Sequence, residues 1–185
     1  MNKALILLIS VALSCGNTAS TNLLEPNPVN VENEETDQDD ILLGNFEKED
    51  LMEKPYSKWF EPRYEKFNPD ENSMAKIAEN INDYEIKLFM GTWCADSKRE
   101  VPKFLKMLDM ADFNHENLEM VAVDYDKSTE NGIEKELNIE YVPTIIFYKD
   151  GKEVNRFVEY PQSETLEEDI AKIVTGEPYK NSYTN

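Results

Sequence analysis

Apolar residues recur every three or four positions in three stretches of the chain, which is the spacing of amphipathic helices. We predict one helix from Pro69, with Asn68 as its candidate cap, one directly after Cys94, and one from Ser163 to Val174. Their apolar positions are Met74, Ile77, Ala78, Ile81, Val101, Phe104, Leu105, Leu108, Leu166, Ile170, Ile173 and Val174. Each helix therefore has one face that can pack on a sheet.

Runs of mainly apolar and β-branched residues predict strands between these helices. The predicted strands are Glu85–Met90, Leu118–Asp124, Thr144–Lys149 and Glu153–Val158. Asp150-Gly151 joins the last two as a hairpin turn, and Thr129–Leu137 is predicted as a short helix. This order of elements indicates an α/β fold, with a central mixed β-sheet of about four strands flanked by helices.

The first 15 residues have the layout of an export signal. Lys3 precedes an apolar run from Ala4 to Leu13, which is too short to span a bilayer as a helix. Cys15 follows directly, and the sequence around it resembles the bacterial lipobox, so we expect Cys15 to become a lipidated N-terminus. The alternative is an ordinary signal peptide with an incidental cysteine. Lipidation implies an anchored protein of the bacterial cell envelope, facing the periplasm or the exterior.

Composition predicts the remaining domain boundaries. Residues 16–54 are polar and acidic, and we expect a flexible tether because such a stretch buries too little apolar area to fold. Within it, Ile41 to Phe46 is apolar enough for a local contact with the domain. Residues 55–178 are the expected folded domain, which begins with an aromatic segment where Pro62 limits any helix. Residues 179–185 form a tail with no pattern.

Charge and composition restrict the classes of partner. The net charge of −19 argues against nucleic acid, because the phosphate backbone would repel this surface. His115 is the single histidine and has no partners spaced for a metal site, so we expect no metal and no cofactor. With Cys15 lipidated, Cys94 is the one remaining thiol, and an internal disulfide is excluded. We expect a monomer.

Cys94 lies where a predicted strand gives way to a predicted helix. At a helix N-terminus, unpaired backbone N–H groups and the helix dipole both favour a thiolate over a thiol. Cys94 is therefore the candidate nucleophile. The alternative is a small buried cysteine that serves only packing.

The sequence around Cys94 resembles the active-site segment of the thioredoxin-like family. Trp93, Cys94 and Pro102 match the family's Trp-Cys motif and the proline in the helix that follows. Ser97 departs from the pattern, because it stands at the position of the second, resolving cysteine. The resemblance implies thiol–disulfide exchange by a monothiol variant of the family.

A second segment, from Asn138 to Gly151, resembles the family's loop and strand around a cis-proline. By this resemblance the Val142–Pro143 bond is cis, and its loop packs against the nucleophilic cysteine. Trp93, Val142 and Pro143 are then the candidate substrate-binding residues. The two segments and their surroundings cover about residues 70–175, a length suited to one domain.

The departures from the family pattern define the chemistry that we expect. A hydroxyl at Ser97 cannot attack a mixed disulfide, so an outside thiol, on a protein or a small molecule, has to release the product. Leu88 replaces a buried aspartate that the family typically uses in the same step. Ser97 either donates a hydrogen bond to the Cys94 thiolate or makes only a local backbone bond. The rival interpretation is a redox-silent binding or chaperone-like module that holds extended polypeptide at the Pro143 edge.

Overall fold

A computed structural model describes residues 41–184. Its strands and helices, in chain order, are β1 Gly44–Asn45, α1 Lys48–Met52, α2 Ser57–Lys66, α3 Glu71–Asn80, β2 Glu85–Met90, α4 Ala95–Met110, β3 Leu118–Ala122, α5 Ile133–Glu136, β4 Thr144–Lys149, β5 Lys152–Val158 and α6 Leu166–Thr175. Short 3-10 helices occupy Ile81–Asp83 and His115–Asn117. The predicted signal segment, residues 1–15, and residues 16–40 of the predicted tether lie outside the described residues.

The strands form one mixed sheet of five strands, in the order β1-β3-β2-β4-β5. β2 and β3 run parallel, and the other three pairings are antiparallel. The predicted α/β fold with a mixed sheet is therefore confirmed, with one strand more than expected. The additional strand is β1, which has only two residues and thus leaves no periodic pattern in the sequence.

Buried side chains pack on both faces of the sheet, because successive side chains of a strand point to opposite sides. Leu88 of β2 lies in the larger buried cluster with Phe104 of α4 and Ile170 of α6. Its neighbour Phe89 lies in a smaller cluster, against which Cys94 packs. The candidate nucleophile therefore contacts the smaller core cluster.

Local capping shifts several helix boundaries from their predicted positions. α3 begins at Glu71, because Asp70 and not Asn68 is the cap, and the Asp70 carboxylate accepts a hydrogen bond from Ser73 N at 2.8 Å. α6 begins at Leu166 and not at Ser163, after the cap Thr165. The predicted helix Thr129–Leu137 is reduced to α5, and the predicted strand Leu118–Asp124 ends at Ala122.

Pro62 does not prevent a helix in the aromatic segment, contrary to the expectation from the sequence. The helix runs from Ser57 to Lys66 with Pro62 inside it. Phe60 is fully buried in the larger core cluster, and α2 packs along α4. Burial of an aromatic side chain at this interface outweighs the hydrogen bond that proline removes from the helix.

Residues 41–54 belong to the folded domain, which corrects the predicted tether boundary at residue 54. Gly44 pairs with Ala122 of β3, and Phe46 and Leu51 are buried in the larger core cluster. The expected local contact of Ile41 to Phe46 with the domain is thus confirmed, and it extends through α1. Among the described residues, no helix is both long enough and apolar enough to cross a bilayer.

A carboxylate of α4 also holds the N-terminal segment in place. Asp109 accepts hydrogen bonds from Lys48 Nζ of α1, at 2.6 Å, and from the Tyr64 hydroxyl of α2. His115 Nε2 lies 3.1 Å from the other Asp109 oxygen. Burial raises the pKa of Asp109, but the bonds from Lys48 and Tyr64 outweigh burial and hold the pKa below its usual range.

Substitution of two leucines tests whether residues 41–54 are part of the folded domain or a tether. Leu51→Ala removes a fully buried side chain and should lower the free energy of unfolding by about 2–5 kcal/mol. Leu43→Ala, the matched control, removes a side chain that is 56% exposed and should change it by less than about 0.5 kcal/mol. Chemical denaturation of both variants measures the difference. Equal stability of the two would show that residues 41–54 do not pack on the domain.

Candidate functional site

Cys94 caps the N-terminus of α4, directly after the turn that follows β2. Its N–H donates to Gly91 O at 2.9 Å, and its carbonyl accepts from Lys98 N at 3.0 Å, the first bond of the helix. The side chain is half-buried. The predicted position of this thiol at a strand-to-helix turn is thus what the structure shows.

The Cys94 thiol contacts the segment predicted to carry a cis-proline, Asn138 to Gly151. Cys94 Sγ donates a hydrogen bond to Val142 O at 3.1 Å, and the Val142–Pro143 peptide bond is cis, as predicted. The turn that enters β4 is thus in direct contact with the residue that caps α4.

The side chain of Trp93, next to Cys94, is held by a hydrogen bond and a ring contact. Its indole Nε1 donates to Val123 O at 3.1 Å, and its ring stacks on Tyr125 with centroids 5.2 Å apart. Gly91 makes room for the ring, because a Cβ atom at Gly91 would lie 2.5 Å from Trp93 Cε2. Trp93 thus has a fixed orientation beside Cys94.

Ser97 lies one helical turn after Cys94 and is fully buried. Its hydroxyl accepts a hydrogen bond from Gly91 N at 3.3 Å, so it ties the start of α4 to the end of β2. Leu88 is likewise fully buried in the apolar core.

Comparison with known proteins shows the family to which the chain belongs. The thioredoxin family profile, described as Thioredoxin, matches residues 60–172, a stretch that contains both Cys94 and Pro143. The chain belongs to the thioredoxin family. A thioredoxin of Aspergillus fumigatus is 31% identical over 85 residues, which are 46% of this chain and 73% of that protein.

A thioredoxin of Gallus gallus is 28% identical over 112 residues, which cover 55% of this chain and all of that protein. The solved thioredoxin of Fasciola hepatica is 25% identical and covers 55% of this chain and 88% of that one, with a TM-score of 0.37. Membership in the thioredoxin family indicates thiol–disulfide redox chemistry and thiol or disulfide substrates.

Charged side chains in the first half of α4, which Cys94 caps, pair with one another. Arg99 contacts Asp96 at 2.5 Å and Glu100 at 2.6 Å, and Lys103 contacts Glu100 at 3.1 Å. Burial lowers the pKa of Arg99, but the bonds to Glu100 and Asp96 outweigh burial and raise the pKa above its usual value. Arg99 is therefore already paired with carboxylates of its own helix.

Sequence reasoning missed several residues that position the site. Thr92, next to Trp93, is buried and accepts a hydrogen bond from Leu42 N at 3.1 Å, so the N-terminal segment contacts the active-site turn. Glu100 is buried although it is charged. Glu159 N–H donates to Pro143 O at 2.7 Å, from a turn with positive φ. The sequence has no periodic signal for any of these contacts.

Across residues 41–184, no group of three or more His, Cys, Asp or Glu side chains is arranged to hold a metal ion. His115 lies in an exposed 3-10 turn and contacts Asp109.

The close approach of Gly91 to Trp93 predicts a specific energetic coupling. Gly91→Ala should lower the free energy of unfolding by about 1–3 kcal/mol, because the new methyl group displaces the indole ring. In a Trp93→Ala background the same change should cost almost nothing, since the clash is gone. Denaturation of the four chains of this double-mutant cycle measures the coupling. An equal cost in both backgrounds would contradict the described contact.

Proposed function

We propose that this protein is a membrane-anchored member of the thioredoxin family that performs thiol–disulfide exchange through Cys94 alone. The observation that carries the proposal is the contact of Cys94 Sγ, at a helix N-terminus, with Val142 O beside Pro143. The proposal is supported by the position of this sulfur next to the backbone of the Val142–Pro143 turn. An extended substrate can present its disulfide to Cys94 while its own backbone lies along that turn.

The exchange proceeds in two displacement steps. The Cys94 thiolate attacks one sulfur of a substrate disulfide, a Cys94–substrate disulfide forms, and the other substrate sulfur leaves as a thiolate that takes up a proton. A thiolate from a second molecule then attacks the substrate sulfur of this mixed disulfide and releases Cys94. The substrate ends in a disulfide with the second thiol, and Cys94 is neither oxidised nor reduced overall.

Ser97 and Leu88 support a cycle that depends on the outside thiol. Both side chains are fully buried, and neither offers a thiol or a carboxylate at its position near Cys94. A serine hydroxyl has too high a pKa to form the nucleophile that would release the substrate. Trp93 and the Val142–Pro143 turn would then orient the bound disulfide.

A second candidate function is polypeptide binding without redox turnover. The Cys94 thiol already has Val142 O as a hydrogen-bond partner within the chain, and this observation supports a module that only holds extended chains. In that case the Val142–Pro143 edge acts alone, and Cys94 is dispensable.

Replacing Cys94 separates the two candidates. We expect the wild-type chain to exchange with bis(2-hydroxyethyl) disulfide and to carry the mixed disulfide on Cys94. We also expect iodoacetamide to react faster at pH 7 with Cys94 than with the cysteine of an unstructured peptide. Cys94→Ser should abolish the adduct, whereas Cys15→Ala, the matched cysteine control, should retain it. Mass spectrometry of trypsin-digested chains locates the adduct. A slow, peptide-like alkylation rate and no adduct on Cys94 would favour the binding module.

The proposed anchor rests on the N-terminal sequence. Lys3, the apolar run from Ala4 to Leu13, and Cys15 follow one another in the order of a bacterial lipoprotein signal. Cleavage before Cys15 and lipidation of its new N-terminus would hold the domain in the cell envelope, at the periplasmic or exterior face. Several acyl chains on one residue are sufficient for a stable anchor.

Cys15→Ala tests the anchor separately from the chemistry. When the full chain is produced in a lipoprotein-processing bacterium, we expect it in the membrane fraction with a lipid mass on Cys15 and without residues 1–14. The variant should lose the lipid mass and leave the membrane fraction. An intact Met1, or a wild-type chain without lipid, would rule out the lipoprotein assignment and leave the exchange proposal standing.

A further inference from the structure

The C-terminal arm, residues 179–184, is fixed on the domain by side-chain hydrogen bonds. The Ser182 hydroxyl lies 2.9 Å from Tyr160 O and 3.1 Å from Val158 O, and accepts a bond from Gln162 Nε2 at 2.8 Å. The Tyr179 hydroxyl donates to Asp169 of α6 at 3.3 Å. The predicted patternless tail is therefore, over residues 179–184, an ordered part of the structure.

Tyr183 in this arm contacts both sides of the Val142–Pro143 turn. Its ring stacks on Tyr141, with centroids 3.7 Å apart and planes 9° from parallel. Its hydroxyl donates a hydrogen bond to the Glu159 carboxylate, and this bond raises the pKa of Tyr183. Glu159 in turn donates its N–H to Pro143 O at 2.7 Å. Tyr183 therefore contacts the Val142–Pro143 turn through two residues. One is Tyr141, which precedes Val142, and the other is Glu159, which donates its N–H to Pro143 O.

These contacts leave an aromatic surface beside the turn that Cys94 contacts. We call Tyr141, Tyr160 and Tyr183 the tyrosine surface; Tyr160 and Tyr183 are each 42% exposed, and their ring centroids are 6.5 Å apart. Tyr183 lies beyond residue 172, where the match to the thioredoxin family ends. The surface is therefore completed by a residue that the family match does not include.

The chemistry of this surface selects one class of substrate. Exposed aromatic faces gain most from stacking against another aromatic side chain. Glu140 and Glu159 flank the turn, and the chain as a whole carries a net charge of −19, so an anionic small disulfide is repelled while a cationic segment is attracted. An extended polypeptide lying at the turn would bring the side chain next to its cysteine over the tyrosine surface.

We propose that Tyr183 determines specificity: the tyrosine surface receives an aromatic side chain that neighbours the cysteine of an extended, cationic polypeptide disulfide. This inference rests on the proposed function, since it names the substrate class of the same site. Tyr183 acts on recognition and takes no part in the exchange itself. Glutathione-type disulfides, which are small and anionic, are disfavoured substrates.

The test uses peptides whose single cysteine is joined to 2-thiopyridine as a disulfide. Attack of the Cys94 thiolate on the peptide sulfur forms the Cys94–peptide disulfide and releases 2-thiopyridone, which absorbance records. One peptide has phenylalanine beside the cysteine and lysine further out, a second has alanine in place of phenylalanine, and the third probe is the glutathione derivative. Each rate is divided by the rate of the same probe with 2-mercaptoethanol, which removes intrinsic reactivity.

For the wild-type full chain, we expect the phenylalanine peptide to react about threefold to tenfold faster than the alanine peptide, and glutathione slowest. Tyr183→Ala should bring the ratio of the two peptides close to one, and Tyr183→Phe, which keeps the ring, should retain most of it. Met110→Ala is the matched control, because Met110 is 50% exposed at the far end of α4 from Cys94 and should leave the ratio unchanged.

Two outcomes overturn the inference. An unchanged ratio in Tyr183→Ala would show that the arm takes no part in recognition, and equal acceleration of all probes would show that the arm merely covers the site. The same peptides with serine in place of cysteine bind without chemistry, so titration of the chain followed by NMR of the tyrosine rings tests recognition alone. Binding with no exchange would contradict the proposed function, and exchange with no preference would contradict only the specificity.

Discussion

The contact between Cys94 Sγ and Val142 O is the interaction on which the functional account depends. It joins residues that are 48 positions apart in the chain. The sheet brings them together, because antiparallel pairing of β2 with β4 sets Phe89 opposite Thr144, so the end of one strand adjoins the start of the other. The turn that leaves β2 carries Cys94, and the turn that enters β4 carries Val142. A one-residue slip of this register would separate the thiol from the Val142–Pro143 turn.

The two ends of the described chain support opposite sides of this contact. The N-terminal segment bonds to Thr92 through Leu42 and is attached to α4 through Lys48 and Asp109. The C-terminal arm bonds to the residues around Pro143 through Tyr183. The turn that carries Cys94 and the turn that carries Pro143 are therefore each stabilised by a segment that is remote in sequence. The N-terminal segment, which follows the proposed anchor, joins the domain next to the turn that carries Cys94.

The main elements could be predicted because their residues carry repeated apolar patterns or strong local signals. β2 and β4 have the predicted bounds, and the strand-to-helix turn at Cys94 follows from the apolar run and the helical pattern around it. The cis bond before Pro143 followed from the resemblance and is confirmed. These features depend on local sequence, which a single chain displays.

The missed features depend on contacts between distant residues. β1 has two residues and forms only because an edge strand is available. α1 packs on α2 and is stabilised by burial of Leu51 in the larger core cluster. Helix α2 passes through Pro62 because Phe60 is buried, and Glu100 is buried with two cations that neutralise it. The stacking of Tyr183 on Tyr141 joins a tail and a loop that share no periodic pattern. No local rule predicts such pairings, since tertiary packing decides them.

The lifetime of the Cys94–peptide disulfide tests the central claim, that Cys94 works without an internal resolving group. The wild-type and Ser97→Cys chains are each loaded with a cysteine peptide, freed of excess reagent, and followed by mass spectrometry without added thiol. We expect the wild-type adduct to persist until an outside thiol is supplied. In Ser97→Cys, we expect release of the peptide and formation of a disulfide between residues 94 and 97. Release of the peptide from the wild-type chain with no added thiol would contradict the monothiol mechanism.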